Sequence, residues 1–141
     1  MDIKLIVALI GLTGVAASAL IQYYLGSRYE KRKKAVEIKS QAYLDLINVV
    51  SEIASSSKQG KERNLEQFQK LTQAKSRIVL IGCNDVVSNI HNFFTKYGEL
   101  NSKDSLRAFS GIVTAIRSDL SDEKSLPDTM LYESLFNKKQ A

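Results

Sequence analysis

Leu5 to Ser27 is a stretch of 23 residues without one charged side chain, and from Ala35 onward apolar residues recur every three or four positions instead. The first pattern predicts a helix that is apolar all round. A helix needs about 20 mostly apolar residues to cross a hydrocarbon core of roughly 30 Å. Ile3 to Leu25 meets that length, with Lys4 able to snorkel at one end and Tyr23 and Tyr24 where an interfacial aromatic belt belongs. A helix also satisfies its own backbone polar groups, as a lipid-embedded segment must. Two rival readings are a buried helix of a soluble domain and a cleaved signal peptide. A core helix is rarely apolar on every face over this length. Ala17-Ser18-Ala19 offers small residues where a signal peptidase reads, so export after cleavage near Ala19 is the alternative. Against cleavage, Asp2 cancels Lys4, hydrophobicity continues through Leu25, and a basic block follows.

The second pattern predicts helices with one apolar face. Val36, Tyr43, Leu46, Ile47, Val50, Ile53 and Ala54 share a helix face. No Gly or Pro interrupts residues 27–57, so the span is expected to run on into this helix. Ser55 to Gly60 reads as a turn. A second helix is expected from Lys61 to Ile81, its inner face made of Leu65, Phe68, Leu71, Ala74, Ile78 and Ile81. Gly82 is the expected end of it, through tolerance of positive φ, and Asn84 or Asp85 the cap of the next. A third helix carries Val86, Val87, Ile90, Phe93, Phe94 and Tyr97 and stops at Gly98. A fourth, started by Asn101 or Ser102, carries Leu106, Phe109, Ile112, Val113, Ile116 and Leu120. After the charged break at Ser121 to Ser125, Pro127 suits the first turn of a short last helix whose Met130, Leu131, Leu135 and Phe136 would close one end of the core. No useful period-two alternation appears. The expected fold is all-α: a single amino-terminal transmembrane helix continuing into an antiparallel cytoplasmic four-helix bundle with a short carboxy-terminal helix. The expected divisions are 1–27 as anchor, 28–34 as a basic neck, 35–137 as the bundle and 138–141 as a frayed tail.

Charge sharpens this picture. The chain has 20 Lys and Arg against 15 Asp and Glu, net +5. Residues 28–39 alone hold six basic and two acidic residues, which leaves +1 for residues 40–141. Arg28, Lys31, Arg32, Lys33 and Lys34 follow the span directly. Lys and Arg beside a span stay on the cytoplasmic side. The expected location is therefore a bacterial inner (plasma) membrane, with the amino terminus outside and the body in the cytoplasm. The same five residues fix topology and suit anionic headgroups, each worth about 1 kcal/mol. Nucleic acid is not expected, because no basic-aromatic pattern follows. Within the span, Gly11, Gly14 and Ser18 form a small-residue face of the kind that lets helices approach closely, so homo-oligomers are expected through it.

Candidate chemistry is sparse. One His, one Cys, one Pro and no Trp exclude an intrachain disulfide and argue against a zinc site. Cys83 and His91 are the one conceivable nucleophile and base, but about two helical turns separate them. Arg117 and Asp119, two apart on a helix, point different ways and are read as polar locks to other helices. Glu37, Glu52, Glu62 and Glu66 read as solvated faces. Phosphate loops and catalytic Ser signatures are absent. Neither catalytic, metal nor cofactor residues are assigned.

Three segments, Glu37-Ile-Lys-Ser-Gln-Ala-Tyr43-Leu-Asp-Leu, Leu80-Ile-Gly-Cys-Asn-Asp-Val-Val87 and Ala115-Ile-Arg-Ser-Asp-Leu120, together with the span and neck, resemble a diffuse group of small bacterial or prophage membrane-anchored helical proteins. The group has no assigned activity, so the resemblance implies the architecture and adds no catalytic residue. The expectation that follows is a non-enzymatic, membrane-anchored binding or scaffolding module with an unidentified protein partner. The alternatives are a membrane-perturbing small effector of toxin or phage-defence type, oligomerising through its span, and, third, an enzyme at the membrane surface.

Overall fold

The computed structural model describes residues 2–137. These form five α-helices and no strand: α1 (Ile3–Lys58), α2 (Leu65–Ile81), α3 (Asn84–Lys96), α4 (Lys103–Leu120) and α5 (Asp128–Phe136). The chain divides into two compact units, Met1–Glu37 and Ile38–Ala141, and α1 contributes to both. The expected tail, residues 138–141, lies outside the described residues.

The first unit is the amino-terminal part of α1. From Asp2 to Glu37 every side chain is exposed except the half-buried Ser27. By length and composition this helix is able to cross a membrane. Its hydroxyls are satisfied locally. Thr13 donates to the carbonyls of Leu9 (3.0 Å) and Ile10 (2.9 Å), and Ser18 donates to that of Gly14 at 2.9 Å. Such back-bonding removes the cost of placing a hydroxyl in an apolar environment.

The second unit is built on one buried stripe per helix. The later turns of α1 bury Ala42, Tyr43, Leu46, Val49, Val50 and Ile53. α2 buries Gln67, Leu71, Ala74 and Ile78, α3 buries Val86, Ile90 and Phe93, and α5 buries Leu131 and Tyr132. α4 adds Phe109, Ile112 and Ile116 with two small polar residues, Ser105 and Ser110. Aromatic contacts join the last three helices: Phe93 lies 6.0 Å from Phe109, which lies 6.3 Å from Phe136. Between α1 and α2 the polar contacts run in opposite directions along the two helices. Asp45 meets Arg77 at 3.0 Å, Glu52 meets Lys70 at 3.8 Å, and Ser56 accepts from Gln67 at 3.1 Å.

Several local expectations are corrected. α1 runs on to Lys58, and the turn is completed by Gly60 at φ +75°. α2 begins at Leu65 instead of Lys61, because Asn64 and Gln67 form a reciprocal cap: the Gln67 N–H donates to the Asn64 side chain at 2.7 Å, and the Asn64 N–H donates back to the Gln67 side chain at 3.3 Å. Leu65, Phe68 and Ile81 are exposed, since the inner face of α2 is the Gln67, Leu71, Ala74, Ile78 stripe instead. The residue preceding α3 is Cys83, which makes no side-chain cap, so neither Asn84 nor Asp85 has that position. Ser102, not Asn101, caps α4. Pro127 stands just before α5, whose Met130 and Leu135 are exposed while Tyr132 is buried.

Gly82 is needed for a different reason from the expected one. Its φ is −73°, which any residue adopts. However, a Cβ on it would sit 2.6 Å from the Ile78 carbonyl oxygen, which already accepts from the Gly82 N–H at 2.7 Å. Gly82→Ala must therefore shift backbone and is expected to cost about 1–3 kcal/mol. Gly11→Ala, where nothing lies within 4 Å, should leave stability unchanged. Thermal unfolding of the detergent-solubilised chain, followed by circular dichroism, compares the two.

Candidate functional site: a basic collar and a buried polar junction

Arg28, Lys31, Arg32, Lys33 and Lys34 occupy two consecutive turns of α1, all exposed. At 100° per residue these five positions spread around most of the helix circumference, and Glu30 and Glu37 share the remaining arc. The arrangement is a collar, able to meet anionic groups from several directions at once. The Arg28 guanidinium lies 4.7 Å from the Tyr24 ring centroid, a cation–π contact that binds the collar to the aromatic end of the apolar segment.

Gly11, Gly14 and Ser18 share one face of α1, at steps of three and four. A Cβ on either glycine would meet nothing within 4 Å, so the face is open. The Ser18 hydroxyl is turned along the helix toward the Gly14 carbonyl.

In the second unit a buried polar junction forms at Tyr43. This residue is fully buried on α1, and its hydroxyl donates to Asp119 Oδ2 of α4 at 2.6 Å. The same hydroxyl oxygen accepts from the Cys83 backbone N–H, at the start of α3, at 3.2 Å. Lys39 Nζ lies 3.3 Å from the same Asp119 oxygen. Burial pushes the Tyr43 phenol well above its usual range, and the bond to the Asp119 carboxylate raises it further. The phenol is thus a fixed donor at physiological pH.

The expected lock from Asp119 to another helix is present, through Tyr43 and Lys39. Arg117 behaves differently: it pairs with Glu123 just beyond its own helix at 3.2 Å, and its buried Nε has no hydrogen-bond partner among the described residues. Glu52 and Glu66 are not merely solvated, since both pair with Lys70, at 3.8 and 3.2 Å. The hydrogen bond to Glu66, then the charge of Glu52, raises the Lys70 pKa. Cys83 is half-buried and His91 exposed on α3. Among the described residues, no group of three or more His, Cys, Asp or Glu side chains is placed to hold a metal ion.

The junction role of Tyr43 and Lys39 escapes sequence reasoning, because Tyr43 fits the apolar stripe of α1 and Lys39 belongs to the basic run. The one available signal is that a buried tyrosine brings a hydroxyl that needs a partner.

No family model matches this sequence, and no curated protein and no solved structure matches it.

Tyr43→Phe leaves the Cys83 N–H without its acceptor and Asp119 without its shortest bond, so it is expected to cost about 1–3 kcal/mol at neutral pH. The pH dependence has a definite sign. A raised folded pKa means that the phenol's contribution is complete below its ordinary value of 10.0 and is lost as pH rises beyond it. The stability gap between the parent chain and Tyr43→Phe should therefore narrow above pH 10, by up to about 1.4 kcal/mol per pH unit. Urea unfolding of both chains across that range measures it.

Proposed function

We propose that this chain is a single-pass membrane protein whose α1 anchors it in a bacterial inner membrane and whose helical body acts as a binding or scaffolding module. The carrying observation is the apolar helix from Ile3 to Leu25, uncovered by any other part of the described chain and followed at once by a basic collar. An exposed apolar surface of that size is costly in water and favourable in lipid. The collar supports a cytoplasmic body with the amino terminus outside, and its charges suit anionic headgroups.

In this reading the second unit is an antiparallel four-helix bundle with α5 as a short fifth element. The opposed order of the Asp45–Arg77, Glu52–Lys70 and Ser56–Gln67 contacts supports that arrangement for α1 and α2. For α3 and α4 it is supported by the contact of Phe93 with Phe109 and by Asn89 lying beside Gly111. A non-enzymatic role, with a protein partner brought to the membrane, is supported by how the polar groups are used. Asp45, Glu52, Glu66, Glu99 and Asp119 each bind a basic side chain, and the Tyr43 hydroxyl and the Asp119 carboxylate hold helices together.

A second reading draws on the open face of Gly11, Gly14 and Ser18: an effector that perturbs the membrane by oligomerising through the span. Expression with a potential-sensitive dye separates the two. The anchored-module reading expects an undisturbed membrane potential, and depolarisation that Gly14→Leu abolishes would replace it with the effector.

The anchored-module reading predicts that the chain resists alkaline carbonate extraction. It also predicts that deletion of residues 2–27 moves the remainder to the soluble fraction with its helical content retained. A reporter active only in the cytoplasm, fused after Ala141, should be active. Replacing Lys31, Arg32, Lys33 and Lys34 by Gln should give a population of mixed orientation. An active reporter of the outward-only kind in the parent chain would overturn the topology, and a truncated chain that stays membrane-bound in high salt would overturn the anchor.

A further inference from the structure

α2 carries two apolar faces, and among the described residues only one of them is covered. Opposite the buried stripe lie Leu65, Phe68, Thr72, Ser76 and Val79, at steps of three, four, four and three, with Leu80 on their border. Leu65 is 72% exposed, Phe68 56%, Val79 63% and Leu80 82%. No charged side chain falls within the stripe. Its two hydroxyls are already satisfied inside the helix: Thr72 donates to the Phe68 carbonyl at 2.9 Å and Ser76 to the Thr72 carbonyl at 2.8 Å. A protein surface covering the stripe would leave neither donor unpaired.

We propose that this face of α2 is a self-association surface, covered by the same face of a second copy of the chain in the same membrane. Charge and area select that occupant. The cations beside the stripe are engaged within their own copy: Lys75 over the Phe94 ring at 4.6 Å, Arg77 with Asp45, and Lys70 with Glu66 and Glu52. What the stripe presents is neutral, which suits contact with its own copy and offers nothing to an anionic surface or a strongly charged partner. The four large side chains leave on the order of 500 Å² uncovered, the size of a functional patch on a single chain. A freely diffusing partner of ordinary affinity needs about 800 Å² per side. A second copy held in the same bilayer needs less, because confinement raises its effective concentration and lets a small interface suffice. This inference rests on the membrane-anchor reading.

Thr72 lies at the middle of the stripe, so an isologous pair brings it near its own copy whichever way the two helices run. The test uses the full chain in membranes, with Cys83→Ser to remove the native thiol and single cysteines placed by Thr72→Cys, by Ser76→Cys as an independent second position, and by Ser88→Cys on the exposed face of α3 as control. Mild oxidation should give disulfide-linked dimer at Thr72→Cys for either helix direction, at Ser76→Cys as well where the two helices run parallel, and little at Ser88→Cys. Adding Phe68→Glu should lower the α2 dimer by about tenfold, as expected when a charge enters a small apolar contact. Circular dichroism of each variant shows whether its helices are retained. Equal dimer at all three positions, no dimer at either α2 position in a helical, carbonate-resistant chain, or a yield insensitive to Phe68→Glu overturns the proposal while leaving the anchor standing. A chain that carbonate extracts overturns the anchor, and with it the confinement on which the pairing depends.

Discussion

The phenol of Tyr43 resolves two helix-end problems at once, and the second unit is arranged around it. The first backbone N–H groups of a helix lack intrahelical acceptors, and Cys83, before α3, supplies no side-chain cap. The Tyr43 oxygen accepts from the backbone N–H of Cys83 itself, one of these groups. At the other helix, Asp119 stands in the last turn of α4, where the partial negative charge of the helix end disfavours a carboxylate. The Tyr43 proton and the Lys39 ammonium, both on the same Asp119 oxygen, offset that cost. One buried hydroxyl therefore donates to the end of one helix and accepts from the start of another, from a third element 40 residues away from Cys83 and 76 away from Asp119 in sequence. The corner beside it has to be narrow. An ideal Cβ on Gly82 would come within 3.4 Å of the same hydroxyl, besides its much closer approach to the Ile78 carbonyl.

This use of polar groups separates the two units chemically. In the second unit the ionic and hydrogen-bonding side chains mostly face one another: α1 to α2 through Asp45 and Arg77, and α1 to α4 through Tyr43, Lys39 and Asp119. Exposed ion pairs of this kind contribute little individually, about 0–1 kcal/mol. Their effect is in specifying which helices meet and at what register, while the apolar stripes supply most of the driving force. In the first unit the basic residues point outward around the helix, and the nearest partner of Arg28 is an aromatic ring. Residues 28–37 hold five basic and two acidic side chains, and that net +3 stays available to an external anion, whereas Lys39 is engaged by Asp119 in the near-neutral second unit.

Sequence periodicity identified the helices because each has a stripe that the core requires, and Val86, Ile90 and Phe93 or Phe109, Ile112 and Ile116 are legible on that ground alone. The apolar run of α1 was legible from length and lack of charge, and the collar from the count of Lys and Arg beside it. α2 was read only in part, since Leu65 and Phe68 satisfy the same three-and-four spacing as Leu71 and Ile78. Periodicity reports that a face exists, and it does not say which of two faces the rest of the chain covers. The start of α2 is hidden from periodicity because Lys61, Glu62 and Arg63 are good helix formers, and the reciprocal Asn64–Gln67 cap outweighs their propensity. Gly82 marks a helix end legibly, but the carbonyl contact that requires it there leaves no trace in the sequence. The junction was half legible: Asp119 stands out as a charge needing a partner, but nothing local marks Tyr43, 76 residues earlier, as that partner.

One device recurs at five serine and threonine residues of this chain. Thr13 and Ser18 in the uncovered helix, Thr72 and Ser76 on the outer face of α2, and Ser110 in the core of α4 all donate to a carbonyl three or four residues earlier. Each keeps the side chain small while closing off its donor, so the residue behaves nearly as an alanine toward its surroundings. At Ser110 the surroundings are the protein's own core. The same chemistry at Thr72 and Ser76, on a face with no covering element among the described residues, removes the polar penalty that would otherwise keep that face in water. The outer stripe of α2 therefore has the physical character of a helix contact rather than of a solvated surface. Its large residues, Leu65, Phe68, Val79 and Leu80, flank a small centre at Thr72 and Ser76, and it is the shallow middle of such a stripe that lets a second helix approach closely enough to bury them.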